Sequence, residues 1–105
     1  MGVKVSFSGG IMIAAIEGDI DHHTAKDIRE GIDHLVNEKK PSVLKLDFGG
    51  VSIMDSSGIG LIMGRYKVVN SYGGKLKVIN VPKRLERIIK LSGLEVLKVF
   101  ESEGI

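Results

Sequence analysis

Apolar and polar residues alternate at the start of the chain, where Val3, Val5 and Phe7 flank Lys4 and Ser6. That period of two predicts a strand with one face toward a core. Gly9-Gly10 supplies a turn, and Ile11 to Ile16 is almost wholly apolar, which predicts a hairpin with a more deeply buried second strand. Gly18-Asp19-Ile20-Asp21 breaks that strand. From His22 the apolar residues fall at Ala25, Ile28, Ile32, Leu35 and Val36, which is helical spacing, and Asp21 is placed to cap the first turn. Lys39-Lys40-Pro41 ends this helix, and Val43 to Phe48 reads as a third strand.

A second helix is expected from Ser56 or Ser57 to about Tyr72, with Ile59, Ile62, Met63, Tyr66 and Val69 along one face and Gly73-Gly74 as its stop. Leu76, Val78 and Ile79 predict a fourth strand. Pro82 opens a third helix lined by Leu85, Ile88, Ile89 and Leu91 and capped by Gly93, and Val96 to Phe100 reads as a last strand. The order β-β-α-β-α-β-α-β predicts an α/β fold, a mixed sheet with an N-terminal hairpin followed by parallel strands and right-handed crossover helices. Sites in such sheets form where strands end and helices begin. Two loops meet that description, Gly18 to His22 and Asp55 to Gly58.

Composition narrows the class. A chain of 105 residues with 43% hydrophobic and 27% charged residues is expected to form a single globular domain spanning 1–105. It has no apolar run long enough to cross a bilayer and no charged-then-apolar start of a signal peptide, so a cytoplasmic protein with no membrane role is expected. The absence of cysteine removes disulfide and thiol chemistry. The net charge of +2 comes from basic residues spread over several elements, and with no tryptophan, two tyrosines and three phenylalanines there is no stacking platform for nucleic acid.

The chemistry concentrates in Asp55-Ser56-Ser57-Gly58. A hydroxyl at a helix start lies among free backbone N–H groups and the positive end of the dipole, a setting that favours a negative group placed on it. Capping alone needs one of these three polar residues. Gly58, Gly60 and Gly64 are harder to explain, because each costs up to about 1 kcal/mol relative to alanine inside a helix. Close packing of helix on sheet is the expectation for Gly64, and access for a partner to the backbone is the expectation for Gly58. In the other loop, Asp21-His22-His23-Thr24, adjacent histidines on a helix diverge by about 100° and lack zinc-ligand spacing, so no metal is expected. No Gly-x-Ser-x-Gly and no P-loop ending is present, which argues against hydrolase or nucleotide chemistry; neither catalysis nor a cofactor is expected.

Gly18-Asp19-Ile20-Asp21-His22-His23-Thr24-Ala25 and Met54-Asp55-Ser56-Ser57-Gly58-Ile59-Gly60, supported by Gly64-Arg65-Tyr66-Lys67 and Leu91-Ser92-Gly93-Leu94, resemble the STAS domain family. Within it the likeness is to bacterial anti-sigma factor antagonists, the sporulation type above all. The resemblance implies a STAS-like fold and phosphorylation of Ser56 by an ATP-binding anti-sigma factor that is itself a serine kinase. It also implies removal of the phosphate by a serine phosphatase. Unphosphorylated antagonist would bind the kinase and free the sigma factor, with Asp21, His22, His23, Thr24, Asp55, Ser57, Gly58 and Ile59 forming the docking surface. The same fold also serves as a binding module in other signalling assemblies and transport systems, which is the alternative. Family members commonly continue into a C-terminal helix, whereas this sequence stops at Ile105, shortly after its last strand.

Overall fold

The computed structural model describes residues 2–101. Strands β1 (Gly2–Ser8), β2 (Ile11–Ile20), β3 (Val43–Met54), β4 (Lys75–Ile79) and β5 (Phe100–Glu101) alternate with helices α1 (Ala25–Lys39), α2 (Ser56–Asn70) and α3 (Glu86–Ser92) after the opening hairpin. The strands lie side by side in chain order, β1 antiparallel to β2 and every later pair parallel. Since each right-handed crossover steps one strand in the same direction, the helices gather on one face of the sheet. The buried side chains follow from that. Met12, Ala14, Ile16, Leu44, Leu46, Phe48, Leu76 and Val78 point under the helices, and Ile28, Ile32 and Val36 of α1 with Leu61, Ile62 and Val69 of α2 close over them.

Strand ends depart from the expected bounds at the edge that matters most. The second strand runs past Ile16 to Ile20, and the third runs past Phe48 to Met54, because the two pair with each other through Glu17↔Gly50, Gly18↔Val51 and Ile20↔Met54. Two register shifts make this pairing possible, and such irregularities bend a strand and re-aim its end. Glycine is required there: Gly18 has φ +96°, and a β-carbon on Gly50 would lie 3.0 Å from the Ile16 carbonyl oxygen. At the far end, the expected strand from Val96 contracts to Phe100–Glu101, since Leu94–Leu97 winds into a 3₁₀ turn and Val96 faces solvent.

Two helix faces also differ from expectation. A 3₁₀ turn over Lys83–Leu85 precedes α3, and Leu91, expected on the core side, is 78% exposed. On α2, Met63 faces solvent, and the covered stripe is Gly58, Leu61, Ile62, Arg65 and Val69. Arg65 is buried among them. Its Nε lies 2.8 Å from Asp33 Oδ1 of α1, near enough for an ion pair but off the hydrogen-bonding line, and its Nη1 reaches the Leu61 carbonyl at 3.4 Å. Burial first, and then repulsion from Arg29, pull Arg65 below the ordinary guanidinium range, while Asp33 offsets part of that shift. The side chain remains cationic at neutral pH.

Candidate functional site

The two loops singled out in the sequence meet at one edge of the sheet. Because Ile20 pairs with Met54, both strands end together, and the Asp55 N–H donates to the Ile20 carbonyl at 3.1 Å.

The first loop is a closed turn. Asp21 Oδ1 accepts from the backbone N–H of His23 at 2.9 Å and of Thr24 at 3.0 Å, and the Asp21 N–H in return donates to Thr24 Oγ1 at 3.0 Å. The Thr24 hydroxyl donates to the Asp19 carbonyl at 2.9 Å. This is a reciprocal capping box, set one turn before regular helix begins at Ala25 instead of on its first residue. The hydrogen bond from Thr24 is the largest of the influences that hold the Asp21 carboxyl below its usual value of 3.8. The turn also changes the histidine geometry. Off the helix, the His22 and His23 rings do not diverge; their centroids lie 4.1 Å apart at a 37° tilt, and both side chains are exposed. Among the described residues, no group of three or more histidines and acids is positioned to hold a metal ion.

The second loop is more open. Asp55 is the N-cap of α2, and its Oδ1 accepts the Ser57 N–H at 2.8 Å. Ser56, the first helical residue, is exposed, and Ser57 is half-buried. With Asp55 acting as the cap, the Ser56 hydroxyl is not needed for it. Gly58 is buried, and a β-carbon there would come within 2.2 Å of Met54 Cγ and Sδ. The helix therefore approaches its own strand at Gly58, whereas a β-carbon on Gly64 or Gly60 would meet nothing within 4 Å. The close packing of helix on sheet expected at Gly64 is thus found at Gly58 instead. Ile59 is half-buried against the core.

Sequence reasoning missed two features beside the loops. Between α1 and α2 lies a groove of about 310 Å³, lined by His22, Lys26 and Arg29 on one side and by Ser57, Gly60 and Arg65 on the other. On the opposite flank, a shallow hollow of about 460 Å³ includes Ile53, Ile88 and Leu91, with Ile53 67% exposed. Arg84 closes that side by donating from Nη2 to the Val51 carbonyl at 2.7 Å and from Nε to the Ser52 carbonyl at 2.9 Å. The exposed isoleucine had no signal, because the alternation of Val51, Ser52 and Ile53 puts Ile53 on the face of the buried Val51. The basic groove had none, because its residues come from two helices far apart in the chain.

The STAS domain model matches residues 3–104. The chain belongs to the STAS domain family. Among its STAS relatives, the anti-sigma F factor antagonist of Paenibacillus polymyxa is 30% identical over 102 residues, covering 96% of this chain and 87% of the relative. The fold matches the anti-sigma factor antagonist SpoIIAA in its unphosphorylated form with a TM-score of 0.84 at 22% identity, over 97% of this chain and 88% of that one. The phosphorylated form of the Bacillus cell fate determinant SpoIIAA matches with a TM-score of 0.76 at 22% identity, over 97% of this chain and 91% of that one. Among the described residues, no helix is long and apolar enough to cross a membrane.

Proposed function

We propose that this STAS protein is an anti-sigma factor antagonist acting as a single cytoplasmic domain, switched by phosphorylation of Ser56. In its unmodified form it binds an ATP-dependent serine kinase that is also the anti-sigma factor, and so releases a sigma factor. The kinase inactivates it by phosphorylating Ser56, and a serine phosphatase restores it. The chain is a substrate and a switch in this scheme and catalyses nothing itself. The observation that carries the reading is the placement of Ser56: an exposed hydroxyl on the first residue of α2, with Asp55 serving as cap and the Asp21 turn hydrogen-bonded alongside. The names of the 30% identical relative and of both SpoIIAA structures support it.

The physical basis is a local change in charge. A phosphoserine adds about −1.5 to −2 charges and three strong acceptors. Against a partner carboxylate about 6 Å away, a doubly charged phosphate meets roughly 1 to 6 kcal/mol of repulsion between aqueous and interfacial dielectric. Each 1.4 kcal/mol is about tenfold in affinity. The positive end of α2 meanwhile lowers the cost of carrying the phosphate, so the switch needs no refolding. Asp21, His22, His23, Thr24, Asp55, Ser57, Gly58 and Ile59 frame the docking surface in this proposal. Incubation with the kinase and ATP, followed by site-mapping mass spectrometry, tests it: phosphate is expected on Ser56, and phosphate confined to Ser57 overturns the assignment. Ser56→Ala is expected to keep kinase binding while blocking modification.

A further inference from the structure

The groove between α1 and α2 shares His22 and Ser57 with the docking surface of the Ser56 switch, but its Lys26, Arg29, Gly60 and Arg65 have no part in that switch. Four of the side chains that line it, His22, Lys26, Arg29 and Arg65, are basic in type, and no acidic side chain among the described residues lines it. Arg65 is 4% exposed, and of its five N–H donors only Nη1, in a long contact of 3.4 Å, has a hydrogen-bond partner among the described residues. Arg29 stands close enough to repel it. Asp33 Oδ1, 2.8 Å from Arg65 Nε, balances one charge, and the remaining cations, with the Arg65 donors it does not meet, leave a net positive potential that an incoming anion would relieve. The floor of the groove includes Gly60, a helix-interior glycine that no contact within the molecule explains, since a β-carbon there would meet open space. Glycine at such a position costs helix stability, and it leaves room for another chain to approach the helix backbone.

We propose that this groove is a docking site for an acidic segment of a protein partner, whose carboxylate seats over Gly60 between Lys26, Arg29 and Arg65. Charge complementarity selects the occupant: the lining holds no acid among the described residues, Lys26 and Arg29 supply charge beyond what Asp33 balances on Arg65, and the open floor admits a peptide backbone. The site does not depend on Ser56 being a phosphate acceptor, so its failure and the failure of the switch are read separately.

The test is a nuclear magnetic resonance titration of the full, unphosphorylated ¹⁵N-labelled chain with an end-blocked penta-glutamate peptide, alongside penta-glutamine and inorganic phosphate. The glutamate peptide is expected to shift the amides of Lys26, Arg29, Ser57 and Gly60 saturably, with affinity that falls as salt rises. Penta-glutamine is expected to shift none of them. The double variant Lys26→Glu, Arg29→Glu, with its fold checked by circular dichroism, is expected to weaken binding at least tenfold. Gly60→Ala is expected to raise the unfolding midpoint while weakening the peptide, a combination that a merely structural glycine does not produce. Equal binding by the double variant, or equal shifts from penta-glutamine, overturns the proposal. Inorganic phosphate that saturates the site below the peptide and displaces it overturns the carboxylate occupant.

Discussion

The two loops at the working edge of the sheet start from the same device and use it differently. Each follows a strand, and each puts an aspartate where a helix begins. At Asp21 the carboxylate takes two backbone N–H groups and Thr24 returns a third bond, so the polar atoms of the turn largely satisfy one another. At Asp55 the carboxylate takes a single N–H, and the exposed Ser56 hydroxyl beside it has no capping duty. A turn that satisfies itself is a fixed support. A turn that leaves a hydroxyl free at a helix N-terminus is where a change in charge can be written and read.

Removing Asp33 breaks this arrangement most strongly, because Asp33 pairs across α1 and α2 with the buried Arg65. Asp33→Ala is expected to cost about 2 to 3 kcal/mol in denaturant unfolding, below the usual range for a buried pair because Asp33 keeps 26% of its side-chain exposure. The glycines of α2 give opposite signs. Gly58→Ala is expected to destabilise by about 1 to 3 kcal/mol, since its β-carbon collides with Met54, itself packed into the core. Gly60→Ala is expected to stabilise by up to about 1 kcal/mol, since its β-carbon collides with nothing. Thermal melts of the two variants side by side check both signs.

The caps sharpen the contrast further. Asp55→Ala is expected to cost about 1 kcal/mol, the usual loss of one N-cap. Asp21→Ala is expected to be worse than Asp55→Ala in the same melts, since two backbone donors lose their acceptor at once. The smallest effect is in pH. The Asp21 carboxyl is held below 3.8 in the folded state, so it contributes stability that is present above about pH 4 and is lost as pH falls through the folded value. Acid unfolding of Asp21→Ala is therefore expected to show a shallower dependence on pH below 4 than the parent protein.

Much of this was legible in the sequence. The order of elements along the chain and the α1 core stripe of Ile28, Ile32 and Val36 follow from hydrophobic period, and the parallel pairing follows from the strand-helix-strand connections. Both loops were visible as polar breaks between a strand and a helix. The face of α2 was not legible, because Ile59, Leu61, Ile62, Met63, Tyr66, Val68 and Val69 are apolar nearly all round, and periodicity cannot choose a side. Arg65 reads as solvent-facing on any such wheel, and only the distant Asp33 lets it be buried. The extension of β3 was hidden by Gly49-Gly50, which follow the expected strand end at Phe48 but serve a register shift set by the neighbouring strand. The pairing of the His22 and His23 rings was hidden for a similar reason, since it depends on the Asp21–Thr24 box delaying the helix.

The claim that rests most weight on this edge is that a phosphate on Ser56 alone turns partner binding off. It is tested by measuring, in titration calorimetry, the affinity of the anti-sigma factor kinase for the unmodified chain and for chain carrying phosphoserine at position 56, with circular dichroism to confirm a common fold. The account predicts at least a tenfold loss of affinity with the spectrum unchanged. Equal affinity for the two forms contradicts it.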